Sequence, residues 1–326
     1  LSGPTMVRGG AGTGKSTVAL YRVKALLERP RSRGDERVLF TTYTRALIGA
    51  SQQLLGQLLQ PDQLARVRVA TCDEIAREIV AAGRTVGQLE SGRRAIETLR
   101  AARAGFVPAG PTAFDRKLRA RALDAISDRY LVEEFDWIID GRGLATLEEY
   151  KSAPRPGRGY ALSGGLREAV WEFYEVYRTA CRERGTERWP DLRTEALAAV
   201  RSGRWSDRYD YVVVDEAQDL TPTALALMAE LAVSPAGLFF AADAKQSLYS
   251  RNYTWTSAHP RLQFKGRTRT LKRNYRSTAE IERAAFDVLA PEAGEVLEHS
   301  QAVHSGPMPV LLTGVPIAQE GAWAAR

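Results

Sequence analysis

A glycine-rich run near the beginning of the chain has the composition and spacing of a phosphate-binding loop. Residues 9–16 read Gly-Gly-Ala-Gly-Thr-Gly-Lys-Ser and satisfy the pattern G-x-x-x-x-G-K-[ST]. Glycines at these positions let the backbone fold around phosphate oxygens with its N–H groups pointing inward, at a helix N-terminus whose dipole favours anions. An ordinary glycine-rich turn is the alternative. The predicted nucleotide-binding residues of this run are Gly9, Gly10, Ala11, Gly12, Thr13, Gly14, Lys15 and Ser16.

Two consecutive acids follow an apolar run later in the chain and could complete such a site. Tyr211–Val214 is typical of a buried strand, and Asp215 and Glu216 stand at its carboxyl end. Lys15 is expected to reach the β and γ phosphates of ATP. Ser16 and Asp215 would hold Mg²⁺, and Glu216 would take the proton from the attacking water. A strand ending in two acids is a weak signal alone, and the phosphate-binding loop in the same chain strengthens it.

Short β-rich runs alternate with helical patterns over the first 82 residues, which places these side chains on a sheet. The βαβαβα order implies a parallel sheet with right-handed crossovers, hence an α/β fold. The β signal returns at 211–214, and Thr221 and Pro222 then predict the start of a helix. The expected strands are 5–8, 38–43, 67–71, 211–214 and 238–241, and the expected early helices are 14–29, one ending at 59 and one ending at 82.

Residues 89–202 interrupt the sheet and show helical patterns alone, so we expect an all-helical insertion. Its charge is segregated. Residues 84–130 carry ten basic against five acidic side chains, whereas 131–150 carry six acidic against Arg142. A solvated helix face is one explanation of the basic stretch, and contact with a polyanion is the other. The candidates for phosphate contact are Arg93, Arg94, Arg116 and Lys117.

The composition narrows the class of protein. The chain has 326 residues, enough for about two domains, and a net charge of +7, which is compatible with a nucleic-acid partner. Two cysteines exclude a disulfide framework, a four-cysteine zinc site and an iron–sulfur cluster. No apolar run approaches the length of a membrane span, and the start, which has neither Met nor the shape of a signal peptide, is not expected to be the native one. We expect a cytoplasmic, nucleoid-associated protein with no membrane partner.

Several further strings resemble the motifs of superfamily 1 helicases of the UvrD/Rep type. Residues 215–219 (Asp-Glu-Ala-Gln-Asp), 243–249 (Asp-Ala-Lys-Gln-Ser-Leu-Tyr) and 271–277 (Leu-Lys-Arg-Asn-Tyr-Arg-Ser) resemble motifs II, III and IV. Residues 41–47 resemble motif Ia, and 68–71 resemble the strand that leads into motif Ib. The resemblance implies a RecA-like P-loop NTPase with an inserted helical subdomain, in the order and spacing of that family.

The resemblance also implies an activity and further site residues. It implies an Mg²⁺- and ATP-dependent DNA helicase or translocase that moves 3′ to 5′ on single-stranded DNA or at a duplex junction, in repair, recombination or replication. The alternative is a non-unwinding ATPase switch subunit of a repair or defence complex. Gln246 resembles the family's coupling glutamine, Arg276 the arginine at the γ-phosphate and Tyr275 the residue stacked on adenine. Thr17, a further predicted nucleotide-binding residue, stands where relatives often carry an Arg against the adenine, and Ser277 to Glu280 reads as a capping box.

The predicted DNA contacts follow from motif positions and from aromatic spacing. Tyr43 occupies the motif Ia position at which family members stack a base, with a core tyrosine as the alternative. The residues Tyr249, Arg251, Tyr253 and Trp255 recur at period two, so an extended chain would place them on one face, either as a stacking platform or as a half-buried hairpin. Asp73 stands where the family commonly has His and would repel a phosphate. The predicted DNA-binding residues are Tyr43, Thr71, Tyr249, Tyr253 and Trp255.

The family pattern extends beyond both ends of the chain. We expect the adenine-reading glutamine motif upstream of Leu1, and motifs V and VI downstream of Arg326. The domain prediction is a first RecA-like lobe from 1–88 and 203–276, a helical subdomain at 89–202, and the beginning of a second RecA-like lobe at 277–326. Within the last segment we expect a helix to about 289 and a strand at 310–312.

Overall fold

The computed structural model describes residues 3–29, 34–90, 92–155, 160–243, 254–289 and 301–310. The chain divides into two compact units. The first unit comprises Leu1–Arg8 with Lys15–Thr270, and the second comprises Gly9–Gly14 with Leu271–Arg326.

A six-stranded sheet forms the centre of the first unit. Its strands are β1 (Thr5–Gly9), β2 (Val38–Thr41), β3 (Val67–Ala70), β6 (Tyr211–Val214), β7 (Leu238–Asp243) and β8 (Thr268–Leu271). The strand order is β3-β2-β6-β7-β1-β8, and the pairs β2–β3, β2–β6 and β6–β7 are parallel. Crossover connections between parallel neighbours agree with the βαβ order of the sequence.

Helices cover both faces of this sheet. They are α1 (Lys15–Leu27), α2 (Arg45–Leu58), α3 (Pro61–Leu64), α4 (Cys72–Ala81), α10 (Trp189–Arg201), α11 (Pro222–Leu231) and a one-turn helix over Trp255–Ala258. Val212 and Val214 join a core cluster that includes residues of α4, α10 and α11, while α1 packs against β6 and β7. Cover on both faces explains why the central strands are apolar without alternation. This arrangement confirms the predicted RecA-like α/β fold.

The inserted segment has a hydrophobic core of its own. Its helices are α5 (Arg93–Arg103), α6 (Ala113–Asp124), α7 (Asp128–Glu134), α8 (Leu147–Ser152) and α9 (Gly164–Glu183). Helix α9 packs against α5, α6 and α8, and a π-helix over Phe135–Ile139 continues directly from α7. Aromatic rings fill the core: Phe135 and Phe173 are fully buried, and Tyr177 lies 5.6 Å from Phe135 between ring centroids.

The expectation of helices alone in this segment needs one correction. Strands β4 (Gln88–Glu90) and β5 (Thr186–Arg188) pair in parallel, the first before α5 and the second after α9. Each strand has three residues, which is too short for a period-two pattern to be recognised in the sequence. This small ladder joins the chain just before α5 to the chain just after α9.

The second unit contains two parallel strands, β9 (Arg273–Thr278) and β10 (Gln301–His304), beside the helix Ala279–Leu289. The helix is confirmed, but its predicted capping box is wrong by one position. Thr278, not Ser277, receives the hydrogen bond from a helix N–H, that of Ile281, at 3.4 Å. Of the strand expected at 310–312, the last two residues lie outside the described part of the chain. None of the described helices is long and apolar enough to cross a bilayer.

Candidate active site

Asp215 lies in a buried position at the carboxyl end of β6, the strand that the sequence predicted to deliver it. Its backbone N–H donates to the Thr41 carbonyl oxygen at 2.9 Å, which continues the β2–β6 ladder to this residue. Burial raises the pKa of Asp215 to about 6, opposed by a side-chain hydrogen bond with Ser16 and assisted by the charge of Glu216. The two predicted metal ligands, Ser16 and Asp215, are therefore in contact.

The surroundings of Asp215 fit a hard divalent cation. Its Oδ1 atom is buried and has no hydrogen-bond partner among the described residues. A buried, unpaired carboxylate oxygen beside a serine hydroxyl is costly unless a cation or a proton satisfies it. Mg²⁺ favours such oxygen ligands, together with substrate phosphates. Ser16 and Asp215 are the residues that would hold it.

Glu216 adopts a strained backbone conformation. With φ 50° and ψ 42° it lies in the left-handed region, and it is the one non-glycine residue in the described ranges with a positive φ. Such conformations persist where neighbouring contacts hold them, and they cluster at functional sites. The Gln218 side chain supplies one such contact, since its Nε2 donates to Glu216 Oε2 at 2.6 Å.

Lys15 and the end of β7 meet beside these acids. Lys15 Nζ lies 3.5 Å from Asp243 Oδ2, and both side chains are less than a tenth exposed. The Asp243 backbone N–H in turn donates to Gln218 Oε1 at 2.9 Å. Thus Lys15, Asp215, Glu216 and Asp243, which come from three different elements of the first unit, form one polar cluster at the carboxyl edge of the sheet.

The glycine-rich loop belongs to the second unit, and a hydrogen bond within the loop, made by its threonine, stabilises its conformation. Thr13 Oγ1 donates to the Gly10 carbonyl oxygen at 2.8 Å, and Gly12 and Gly14 have φ values of +74° and +87°. Glycine is the residue that adopts this region without strain. A Cβ at Gly12 would stand 2.3 Å from Asn274 Oδ1, so the loop passes closely over the segment that carries Tyr275 and Arg276.

Tyr275 and Arg276 are exposed side chains on an ordered backbone. The Tyr275 N–H donates to the Gly12 carbonyl oxygen at 2.9 Å. The buried Asn274 side chain accepts from the N–H groups of Arg276, at 2.9 Å, and Ser277, at 3.2 Å. Both side chains are therefore accessible to a ligand. Thr17, in the first unit, is also exposed.

Two of the predicted DNA contacts, Tyr43 and Thr71, line one small niche of about 40 Å³. Tyr43 is 44% exposed, whereas Thr71 is buried and caps α4 by accepting from the Glu74 N–H at 3.1 Å. Trp137 from the π-helix and Arg193 from α10 line the same niche. Neither residue was predicted from the sequence, because each lies far along the chain from Tyr43.

Asp73, the residue that replaces the family's usual His, is neutralised in the structure. Arg193 donates to it through Nε at 2.6 Å and Nη2 at 3.0 Å, a bidentate pair that ties α10 to α4. The repulsion of phosphate expected from a lone Asp73 is therefore reduced by a cation on α10.

The extended platform predicted from Tyr249 to Trp255 is wrong at its last residue. Trp255 begins a one-turn helix, and its ring packs edge-on against Phe240 and Phe264, with ring centroids 6.0 and 5.8 Å apart. The period-two pattern therefore did not predict the conformation of Trp255, because Thr254 caps a helix that begins at this residue and the Trp255 ring packs on the core. Gln246, Tyr249 and Tyr253 lie outside the described residues.

The cations of the basic stretch differ in how they are engaged. Arg93 pairs with Glu97 at 3.0 Å, and Arg116 donates to the Gly110 carbonyl at 3.3 Å. Lys117 and Arg121 are exposed on α6 and form no ion pair with any described residue. These two cations are thus the more available for a polyanion.

The fold and the glycine-rich loop place this protein in the class of P-loop NTPases. Residues 1–263 match the model of the UvrD/REP helicase N-terminal domain, and the chain belongs to that family. This confirms the resemblance found in the motifs.

Similar proteins carry helicase names. The chain is 28% identical to the ATP-dependent DNA helicase UvrD2 of Mycobacterium tuberculosis, over 94% of this chain and 45% of that protein. It is 25% identical to the ATP-dependent DNA helicase PcrA of Leuconostoc citreum, over 88% of this chain and 37% of that protein. It is 24% identical to the ATP-dependent DNA helicase Rep of Escherichia coli K12, over 89% of this chain and 42% of that protein. The chain spans less than half the length of these relatives.

Proposed function

We propose that the natural protein carrying this chain hydrolyses ATP and couples hydrolysis to 3′ to 5′ movement on single-stranded DNA. The observation that carries the proposal is the cluster at the carboxyl edge of the sheet. There Asp215 has a buried oxygen with no hydrogen-bond partner among the described residues, beside Ser16, and Glu216 and Lys15 lie in the same cluster. This is the residue set that a P-loop NTPase uses for phosphate, metal and water.

Each residue has a definite task in this proposal. Lys15 places its charge at the β and γ phosphates, and the Asp243 carboxylate, 3.5 Å from its Nζ, orients it. Glu216 takes a proton from the attacking water as the bond to the γ-phosphorus forms and the bond to the β-phosphate oxygen breaks. Mg²⁺, held by Ser16 and Asp215, would neutralise charge on the phosphates. Arg276 would meet charge that develops on the γ-phosphate, and Tyr275 would stack on the base.

The proposal also names the residues that would contact DNA and the domains into which the chain would divide. Tyr43 would stack on a base of single-stranded DNA at the edge of β2 and β3, a contact that does not depend on sequence, and Thr71 would lie beside it. Residues 1–88 with 203–276 would form the ATP-binding lobe, 89–202 the inserted subdomain, and 277–326 the start of a second lobe. The proposal includes a role in repair, recombination or replication, at a junction of single and double strands near the nucleoid, which membership of the family supports.

Strand displacement by the natural protein tests the proposal. The substrates are one duplex with a 3′ single-stranded tail and the same duplex with a 5′ tail. We expect DNA-stimulated ATP hydrolysis and release of the strand from the 3′-tailed duplex, with neither in Lys15→Ala. Hydrolysis without displacement of either duplex would contradict movement on DNA and support an ATPase switch. Release from the 5′-tailed duplex alone would contradict the direction.

A further inference from the structure

The side chain of Gln218 connects the Glu216 carboxylate with the backbone of Asp243. It is 5% exposed and lies in a short 3₁₀ turn directly after Glu216. Its Nε2 donates to Glu216 Oε2 at 2.6 Å, and its Oε1 accepts from the Asp243 N–H at 2.9 Å. Both ends of one carboxamide are therefore engaged, one by a side chain at the end of β6 and the other by the backbone at the end of β7.

We propose that Gln218 is a positioning residue that aims the Glu216 carboxylate for catalysis. The inference rests on the proposed function, in which Glu216 is the general base. A base must lie within hydrogen-bond reach of the proton that it abstracts, and small displacements are costly in rate. Holding Oε2 through Gln218 restricts rotation of the Glu216 carboxylate, so that its other oxygen keeps one direction.

The left-handed backbone of Glu216 makes such a restraint necessary. A non-glycine residue at φ 50° returns to a right-handed or extended conformation unless its surroundings oppose the change. Gln218 is bound to the backbone of Asp243, which belongs to a buried strand, so it holds Glu216 in place relative to the rigid sheet. A contact with another loop residue would move together with the loop.

The same anchor links the base to the phosphate-binding lysine. Asp243 holds Gln218 through its backbone N–H, and its carboxylate lies 3.5 Å from Lys15 Nζ. One residue at the end of β7 therefore sets the positions of both the group that binds phosphate and the group that activates water. A shift of this strand end would move Lys15 and Glu216 together.

A glutamine is the side chain that fits both contacts. The site needs a donor toward a carboxylate and an acceptor toward an N–H, at the two ends of one planar group. Glutamate would place a second negative charge 2.6 Å from Glu216 Oε2, and asparagine is one methylene shorter. Methionine has a similar length and neither a donor nor a strong acceptor, so Gln218→Met removes both hydrogen bonds at nearly constant volume.

The test compares single and double variants of the natural protein by ATPase kinetics with and without single-stranded DNA. We expect Gln218→Met to lower kcat about tenfold to a hundredfold, with KM for ATP and the Kd of a fluorescent ATP analogue within about twofold of the parent. In the Glu216→Gln background, Gln218→Met should have no further effect, because its action passes through Glu216. Gln52→Met, at an exposed position of α2, is the matched control and should behave as the parent.

Three results separate the possibilities. A kcat within about twofold of the parent in Gln218→Met would overturn the inference, and so would an additive effect in the double variant, since a purely structural defect adds. If Glu216→Gln itself hydrolysed ATP like the parent, the assignment of the base in the proposed function would be the error. Should Gln218→Met fail to fold, as judged by its thermal unfolding, Gln218→Asn is measured in the same way and is expected to show the same decrease in kcat at unchanged KM.

Discussion

The backbone N–H of Tyr275 donates to the carbonyl oxygen of Gly12 at 2.9 Å. The glycine-rich loop and the segment with the predicted adenine-stacking residue are thus joined by a hydrogen bond between main-chain atoms. Beneath this contact, Asn274 Oδ1 occupies the space into which a Gly12 side chain would project. The loop conformation therefore depends on a glycine at this position and on the buried amide below it.

Gly12→Ala should weaken nucleotide binding. The new methyl group would meet Asn274 Oδ1 at 2.3 Å and Arg276 Cβ at 2.6 Å, on a backbone with a φ of +74°. A non-glycine residue in such a conformation costs about 1–3 kcal/mol, so we expect ATP affinity to fall about tenfold in a titration with fluorescent ATP. Gly49→Ala, on the exposed face of α2 with open space around it, is the control and should keep full affinity. Equal affinities in the two variants would show that the loop tolerates the change.

The bidentate pair between Asp73 and Arg193 should contribute to the stability of the first unit. Both side chains are partly buried, with 31% and 18% of their surface exposed. In a double-mutant cycle of Asp73→Ala and Arg193→Ala, we expect a coupling energy of about 1–2 kcal/mol from urea unfolding. The exposed pair of Arg129 and Glu133 on α7 is the reference, for which the expected coupling is below about 0.5 kcal/mol. Similar coupling in both cycles would contradict this difference.

Asp136→Asn should stabilise the protein at high pH. Burial and the neighbouring Asp140 carboxylate raise the pKa of Asp136 from 3.8 to about 7, although Arg188 and Arg193 oppose the shift. The folded state therefore binds more protons than the unfolded state between about pH 4 and pH 7, and stability contributed by this group falls as pH rises through that window. The midpoint temperature of Asp136→Asn, relative to the parent, should be higher at about pH 8 than at about pH 5.

A variant at an exposed carboxylate serves as the control for this titration. Asp124 on α6 has a side chain that is 69% exposed, so Asp124→Asn should change the midpoint temperature equally at the two pH values. If Asp136→Asn also showed no dependence on pH, Asp136 would titrate normally in the folded protein.

Charge reversal at Lys117 and Arg121 on α6 tests DNA binding by the insertion. Lys117→Glu with Arg121→Glu should weaken binding of single-stranded DNA, because fewer phosphates are then neutralised by the protein. The slope of log K against log salt should become less steep by about 1 for each phosphate that is no longer neutralised. Arg129→Glu, at a cation that pairs with Glu133, is the control with a smaller expected change. An unaltered slope in the double variant would mean that this face is simply solvated.

The fold was largely predictable, because apolar runs and turn residues along the chain indicate each strand and helix. The spacing of Gly9 to Ser16 predicts a phosphate-binding loop, and the apolar strand before Asp215 and Glu216 predicts the buried position in which the structure places Asp215. Contacts between distant residues left no such signal. Arg193 reaches Asp73 across 120 positions, and Gln218 meets the Asp243 N–H only because β6 and β7 are neighbours in the sheet.

The predictions that were wrong, for Trp255 and for the strands β4 and β5, also failed because contacts between distant residues decided the local structure. The period-two pattern that ends at Trp255 described a possible strand, but packing on Phe240 and a helix cap at Thr254 decided the outcome. The strands β4 and β5 are stabilised by pairing with each other and not by their own sequences. Propensity is a weak guide where tertiary contacts compete with it.

The central claim is that Glu216 is the general base of an ATP-hydrolysing site, and Glu216→Gln tests it most directly. The substitution keeps the shape of the side chain and removes the proton acceptor. In the natural protein with single-stranded DNA, we expect near-parental ATP affinity and a kcat at least about a hundredfold lower, whereas Lys15→Ala should bind ATP weakly. Parental turnover in Glu216→Gln would contradict the claim.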